Sequence, residues 1–329
     1  MSLLDFAPHV SVTSEAITIV VEEPIAPGPG GARPLARRVL GYIRFNKAQG
    51  SAEFANLGSS LDPQCLEMGN TTKKNDDRLA GGHGEGLKIA ALVLSRADHH
   101  VKISASGLYW NFGFNGQART NFYCRLTPAK AKRDPRAPGH PARLSADVGR
   151  DVSVLVEKGQ KGQRLSLNNF GVWMRDTVDL HAPSSSVRTP VGDLLLGSVH
   201  WGRLYLKGLR VPESSQGHQP FRFGYNLVRG SVDRDRQRLV DAPQAVANIH
   251  SIWEHAIMQD EAKALPRYLE LLRDHPSSPD ARGAERLVTE TTAKKLWAAI
   301  CCEPMARGVF YCRESDQNEV CTHLPHPRA

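Results

Sequence analysis

RLAGGHGEGLKIAALVLSR, residues 78–96, sets four glycines within six residues directly ahead of an almost wholly apolar run. So many glycines cost backbone entropy, so the chain must need the close approach that only glycine allows. The first turn of a helix leaves N–H groups without intrahelical partners, and glycines before it let an anion reach them with no Cβ in the way. Gly81, Gly82, Gly84 and Gly86 thus outline an anion cradle, anchored by a helix over residues 87–96. Tight helix packing uses glycine in the same way, so the neighbouring sequence has to decide. No G-K-[ST] follows, which excludes a Walker-type loop, and no strand runs straight into the first glycine, which excludes a dinucleotide fingerprint.

Upstream, β-branched enrichment predicts strands over residues 16–22 (AITIVVE) and 39–45 (VLGYIRF), paired as a hairpin across the Pro/Gly-rich loop EPIAPGPGGARPLAR. Residues 62–68 (DPQCLEM) read as a short helix, with Asp62 as its cap and Pro63 at its first position. Further strands are expected over residues 100–105, 108–114, 121–126 and 152–157, and a short helix over FGVWMRDTV. One helix among many strands in a meander points to an α+β fold with its helices on one face of a sheet. APSSSVRTPVG, residues 182–192, is Ser/Pro-rich and nearly uncharged, and reads as a domain boundary. Beyond it come strands over residues 193–196 and 202–211, then FRFGYNL, a helical stretch over residues 242–274, a last helix over residues 284–300 and a short strand GVFYC.

Between the first strands and the glycine loop stand NLGSS (residues 56–60) and GNTTKK (residues 69–74). In order, spacing and intervening helix these three segments resemble the GHKL ATPase superfamily, which includes gyrase B, MutL, the heat-shock ATPase chaperones and, nearest in motif wording, the MORC-type ATPases. The family shares an adenine-binding turn D-x-G-x-G, a G-x-[ST]-x-K turn, and G-x-x-G-x-G-[LF]-K opening a helix. The resemblance implies a two-layer α/β sandwich, the Bergerat ATP-binding fold, followed by a smaller S5-like transducer domain. It implies ATP or ADP as ligand, held by Asn56 and Gly58, then Gly69, Thr71, Thr72 and Lys73, then Gly82, His83, Gly84, Glu85, Gly86, Leu87 and Lys88. It also implies a homodimer, with nucleic acid or chromatin proteins as partners. Lys207 is the first candidate for the transducer's basic residue that reaches the terminal phosphate, with Arg234 and Arg236 as rivals.

The sequence departs from the family pattern in three places. Asn56 stands for the adenine-binding Asp; its amide donates and accepts, but as a neutral group. Ser60 stands for the last glycine of that turn. No helix carrying a general-base Glu and a Mg²⁺-binding Asn is legible ahead of Asn56, since Glu15, Glu22 and Glu23 lack an Asn at helical spacing. Losing general-base assistance costs roughly 10²- to 10⁴-fold in rate, whereas binding survives it. The expectation is therefore an ATP-binding, ATPase-like chain that hydrolyses weakly or not at all. A natural pseudo-ATPase and an ATPase whose leading segment is missing fit equally. Glu85 is a substitute base or, as helix-dipole complementarity favours, a capping carboxylate. Lys88 faces phosphate or solvent, and His83 donates to phosphate or is polar surface.

The chain of 329 residues carries a formal charge of +8, which favours anionic partners. Its basic residues gather in residues 129–143 and 229–238, solvated loops or nucleic-acid contacts, which leaves a scaffold with basic nucleic-acid-binding loops as the alternative function. No apolar run approaches the roughly 20 residues of a membrane helix, and MSLLDFAPHV lacks the features of a signal peptide, so an intracellular protein of nucleus or cytoplasm is expected. Six cysteines show no C-x-x-C pair and read as free thiols. Cys301, Cys302, Cys312, Cys321, His323 and His326 can be arranged as a zinc site, but their spacing matches no familiar finger. The expected units are residues 1–180 for nucleotide binding, 181–265 for the transducer, and 266–329 as a helical extension with a Cys/His tail.

Overall fold

The computed structural model describes residues 8–23, 38–67, 84–116, 120–129, 144–180, 183–212, 220–233 and 238–302. Over these the chain is α+β, with one large antiparallel sheet, a second smaller sheet and six helices. The large sheet is built from β1 (His9–Val12), β2 (Ala16–Glu22), β3 (Val39–Asn46), β4 (Ser51–Asn56), β5 (His99–Ala105), β6 (Leu108–Asn115), β7 (Asn121–Pro128) and β8 (Val152–Lys158). Its order is β1-β2-β3-β4-β8-β5-β6-β7, so two meanders are joined by β8, the last strand in sequence. The β2–β3 pairing expected from sequence is present, with Ile19 opposite Ile43.

Period-two alternation gives this sheet one apolar face. Cross-strand partners Phe45–Ala52, Phe54–Val154, Ile103–Val154 and Ile103–Trp110 run along it without a break. Helix α1 (Gly86–Arg96) lies on this face over β5 and β6, burying Ala91 against Val101, Ile103, Trp110 and Phe112. Helix α2 (Leu167–Arg175), capped by Ser166 accepting from the Asn169 N–H, covers the same face further along. There Phe170 stacks on Phe45 at 4.6 Å and Trp173 meets Phe54 edge-on at 5.4 Å. The result is two layers, helices on one face only.

The turn after α2 passes directly to the small sheet. The Val178 N–H donates to the Gly208 carbonyl and the Arg210 N–H to the Asp176 carbonyl, both at 2.9 Å, while Val178 is fully buried with Leu195 and Tyr205. This sheet contains β9 (Ser186–Arg188), β10 (Gly192–Leu195), β11 (Leu204–Leu206), β12 (Leu209–Val211) and β13 (Gly224–Leu227) in the order β12-β11-β13-β10-β9, with β11 and β13 parallel. Helices α3 (Ala242–Gln259), α4 (Glu261–Asp274), α5 (Ala284–Leu287) and α6 (Glu290–Cys302) follow, and apolar residues of α3, α4 and α6 share one core with the small sheet. At its centre Trp253 stacks on Tyr268 at 4.9 Å and donates to the Tyr225 hydroxyl, which donates to Asp280. Asp280 is fully buried and also accepts from the Arg222 and Phe223 N–H groups, so its charge is matched by donors. Burial, reinforced by Asp280, pushes the Tyr225 hydroxyl well above its usual range.

Several expectations need correction. The single strand read over residues 202–211 is a tight hairpin, because Lys207 (φ 52°) and Gly208 (φ 82°) are both left-handed, as a two-residue hairpin turn requires. The Ser/Pro-rich stretch, for which the sequence predicts no strand, contains β9, an edge strand whose Ser186 carbonyl accepts from Lys263. The helical stretch of residues 242–274 divides at Asp260, whose carboxylate caps α4. Helix α4 contributes Ala264, Leu265, Tyr268 and Leu271 to one core with the small sheet. β1 and β4 were not expected at all. The strand GVFYC and the tail from residue 303 lie outside the described residues, as do residues 130–143 of the basic excursion.

Phe170 holds α2, and through it the link to the small sheet. Phe170→Ala is expected to cost about 3–5 kcal/mol of unfolding free energy, measured in urea; a loss below about 1 kcal/mol contradicts this packing.

Candidate functional site

The site is assembled at the end of the large sheet where β4 stops. Asn56, its last residue, is exposed and pairs with Gly41 on one side and Val152 on the other. Two residues on, Gly58 turns the chain in the left-handed region (φ 65°), and its N–H donates to Asp151 Oδ1 at 2.9 Å. Asp151, only 1% exposed, uses its other oxygen to accept from the Asp147 N–H at 2.6 Å. A carboxylate at the entry to β8 therefore holds the turn at the exit from β4. Beside it opens a cavity of about 380 Å³ lined by Arg38, Val39, Leu57, Gly58, Arg150 and Asp151. Arg38 and Arg150 bring guanidinium groups to its rim, Arg150 being paired with Asp147 at 3.9 Å. A Cβ at Gly58 would lie 3.3 Å from the Arg38 guanidinium, so glycine keeps the rim open as well as permitting the turn.

From there the chain crosses to the β5–β6 turn, where the Leu61 N–H donates to the Ser106 hydroxyl and that hydroxyl donates to the Leu61 carbonyl. Asp62 then caps a short 3-10 helix, Pro63–Leu66, by accepting from the Gln64 N–H at 2.8 Å, as the sequence led us to expect. The ammonium of Lys88, on the first turn of α1, reaches this helix. It donates to the Cys65 carbonyl at 2.8 Å and to the Glu67 carbonyl at 2.5 Å, with Lys88 only 8% exposed. Neither of the two sequence readings of Lys88, towards phosphate or towards solvent, describes this arrangement. A cation there opposes the α1 dipole, and carbonyls at the end of the 3-10 helix, which lack helical donors, compensate it.

Helix α1 begins at Gly86. Gly84 is left-handed (φ 66°), and Glu85 sits at the cap position without capping through its side chain; its carbonyl accepts from the Ile89 N–H. The dipole-capping role for Glu85 is thus not made by a side-chain hydrogen bond. Leu87 packs against the α1 core. Gly69, Thr71, Thr72, Lys73, Gly82 and His83 lie outside the described residues, as do Arg234 and Arg236. Lys207 occupies the β11–β12 turn, its N–H donating to the Leu227 carbonyl, and not a strand. Among the described residues no group of three His, Cys, Asp or Glu side chains is placed to hold a metal ion; Cys301 is exposed, and the rest of the Cys/His tail is not described.

Sequence reading missed Arg38, Arg150, Ser106 and Asp151. An Asp ahead of a strand signals only a turn; its contact with Gly58 follows from β8 pairing with β4, whose partners Ala55 and Ser153 stand 98 positions apart in the sequence. The two thiols near the site are held protonated. Burial pushes Cys124 up to about 11, and burial raises Cys65 against the opposing pull of the Lys88 ammonium.

The sequence matches no protein-family model and no curated protein. Among solved structures the chain is similar to the ATPase region of Saccharomyces cerevisiae topoisomerase II, with a TM-score of 0.34 and 8% sequence identity, over 59% of this chain and 70% of that one. At that TM-score the likeness decides neither fold nor site. No helix among the described residues is long and apolar enough to cross a membrane.

Two outcomes are expected. Lys88→Met removes a charged donor from two carbonyls, and should lower the unfolding free energy by about 2–3 kcal/mol and speed amide exchange over residues 63–67; an unchanged midpoint and exchange rate refute the clamp. Because the thiolate is the nucleophile, iodoacetamide at about pH 8 should label the exposed Cys301 well before Cys124, which should react readily only as the pH nears 11. Peptide mass spectrometry reads both, and equal labelling at the lower pH contradicts the burial of Cys124.

Proposed function

We propose that this chain binds a purine nucleotide, ATP or ADP, where the Gly58 turn, the 3-10 helix and the start of α1 meet. The observation that carries the reading is the Lys88 clamp, which holds Glu67 against the first turn of α1. These residues stand on either side of residues 68–83 in the sequence, so the two ends of the stretch that carries the second and third motif segments are held together. The N–H groups at the start of α1, following a left-handed Gly84, supply phosphate-binding amides. The cavity beside Gly58 falls within the size range of small-molecule pockets and carries Arg38 and Arg150.

In this reading Asn56 and Gly58 face the base. Gly69, Thr71, Thr72, Lys73, Gly82, His83, Gly84, Glu85, Gly86 and Leu87 surround the phosphates, and Lys88 is a positioning residue. Residues 1–180 form the nucleotide-binding unit. The part that follows acts as a transducer-like unit, with Lys207, Arg234 or Arg236 as its basic residue, and residues 266–329 extend it. Mg²⁺, if it accompanies the nucleotide, would be held in part by the phosphate oxygens themselves. The described residues ahead of Asn56 are strands and turns rather than a helix presenting a Glu as general base. Slow or absent hydrolysis is therefore the expectation, with dimerisation linked to binding.

Titration with a fluorescent ATP analogue tests this. The unaltered chain should bind in a saturable manner and release the analogue to excess ATP or ADP. Gly86→Val, which places a side chain among the N-terminal amides, and Gly84→Val, which strains a left-handed position by about 1–2 kcal/mol, should each abolish binding with the fold intact by circular dichroism. Binding that neither variant changes removes the proposal.

A further inference from the structure

With α1, α2 and the 3-10 helix all on one side, the opposite face of β5, β6 and β7 is left uncovered by any described helix. Its alternate residues are partly exposed and carry a definite pattern. Lys102, Asn111 and Arg125 are cross-strand partners, so they form one row across three strands, a cation at each end and an amide between. On β6, Tyr109 lies two residues to one side of that row and Gly113 two residues to the other. Gly113 has a purpose there. Its partner Tyr123 folds across it, with the ring's Oη, Cζ and Cε1 only 3.0, 3.2 and 3.5 Å from where a Cβ would stand. The ring therefore reaches across Gly113, its hydroxyl end nearest the backbone.

Each ring also has a cation over it, a position from which the cation can meet a phosphate next to a stacked base. Lys102 Nζ is 4.1 Å from the centre of Tyr109, and the Arg125 guanidinium is 5.9 Å from that of Tyr123. Carboxylates on the same face are engaged elsewhere: Glu157 pairs with His100, and Glu53 with Arg44 and the Tyr42 hydroxyl. No carboxylate among the described residues pairs with Lys102 or Arg125. A polar platform of two tyrosine rings roughly 13 Å apart, separated by a row of positive charge, suits a ligand with flat π-faces joined by anions.

We propose that this face binds single-stranded nucleic acid, with bases stacking on Tyr109 and Tyr123 and the intervening phosphates on Lys102 and Arg125. A duplex, whose bases are already stacked on each other, binds less well. This surface is separate from the nucleotide site and does not depend on that reading.

Fluorescence anisotropy of the full chain with a labelled single-stranded oligonucleotide of about twenty bases tests the proposal. Binding is expected to weaken with salt, to be unaffected by excess ATP, and to exceed that of the matching duplex. Tyr109→Ala and Tyr123→Ala should each weaken it roughly five-fold or more, whereas Tyr123→Phe, which keeps the ring, should not. The double variant Lys102→Glu, Arg125→Glu should weaken it and reduce the slope of log affinity against log salt by about 1–1.5. Arg175→Glu, a charge reversal on α2 at the other face, should leave it unchanged. No detectable binding, binding indifferent to the tyrosine and charge variants, equal loss with Arg175→Glu, or displacement by ATP overturns the proposal.

Discussion

Strand β8 is the constraint on which the large sheet depends. It arrives last in sequence yet pairs with β4 on one side and β5 on the other, so two meanders that would each end in an open edge become one sheet. An unpaired edge exposes a row of backbone donors and acceptors, and β8 satisfies two such rows at once. Val154 and Val156 then bridge the apolar patch under α1 and that under α2. The same pairing brings Asp151 to Gly58, so the feature that closes the sheet also shapes the candidate site.

Three buried charges are held by hydrogen bonds with the backbone. The Lys88 ammonium and the Asp151 carboxylate are both almost completely buried, and each is matched by backbone groups: carbonyls for the cation, N–H groups for the anion. Asp280 follows the same rule in the second core. Leaving any of the three unpaired in a low dielectric would cost several kcal/mol, so each fixes the local path of the backbone around it. The two cores are joined by α2, where an aromatic stack on the large sheet leads within a few residues to backbone bonds with the small one. One-sided helix packing has a further consequence: over β5, β6 and β7 the other sheet face is partly exposed and polar, and its polarity is organised into rows because side chains on paired strands stand in register.

Much of the local structure was legible in the sequence. AITIVVE, VLGYIRF and VSVLVE are dense in β-branched residues and stand where strands form. Asp62-Pro63 marks a helix start, and the glycines before Leu87 mark another. SAEFAN was not legible as β4, since serine and alanine carry little strand preference and are there because a central strand has neighbours close on both sides. Lys207 in a left-handed turn was equally hidden, because lysine gives no sign of a positive φ; only the pairing of Leu206 with Leu209 imposes it.

The sequence by itself determined the α+β class, most strand and helix positions and the order of the three glycine-containing segments, because propensity, periodicity and capping act within a few residues. Tertiary structure alone decided where β8 enters, that Asp151 meets Gly58, that the Lys88 ammonium turns inward to two carbonyls, and that Tyr123 lies across Gly113. These depend on partners far apart in the chain, and their free energy exists only once the sheet is assembled and water has been excluded from one of its faces.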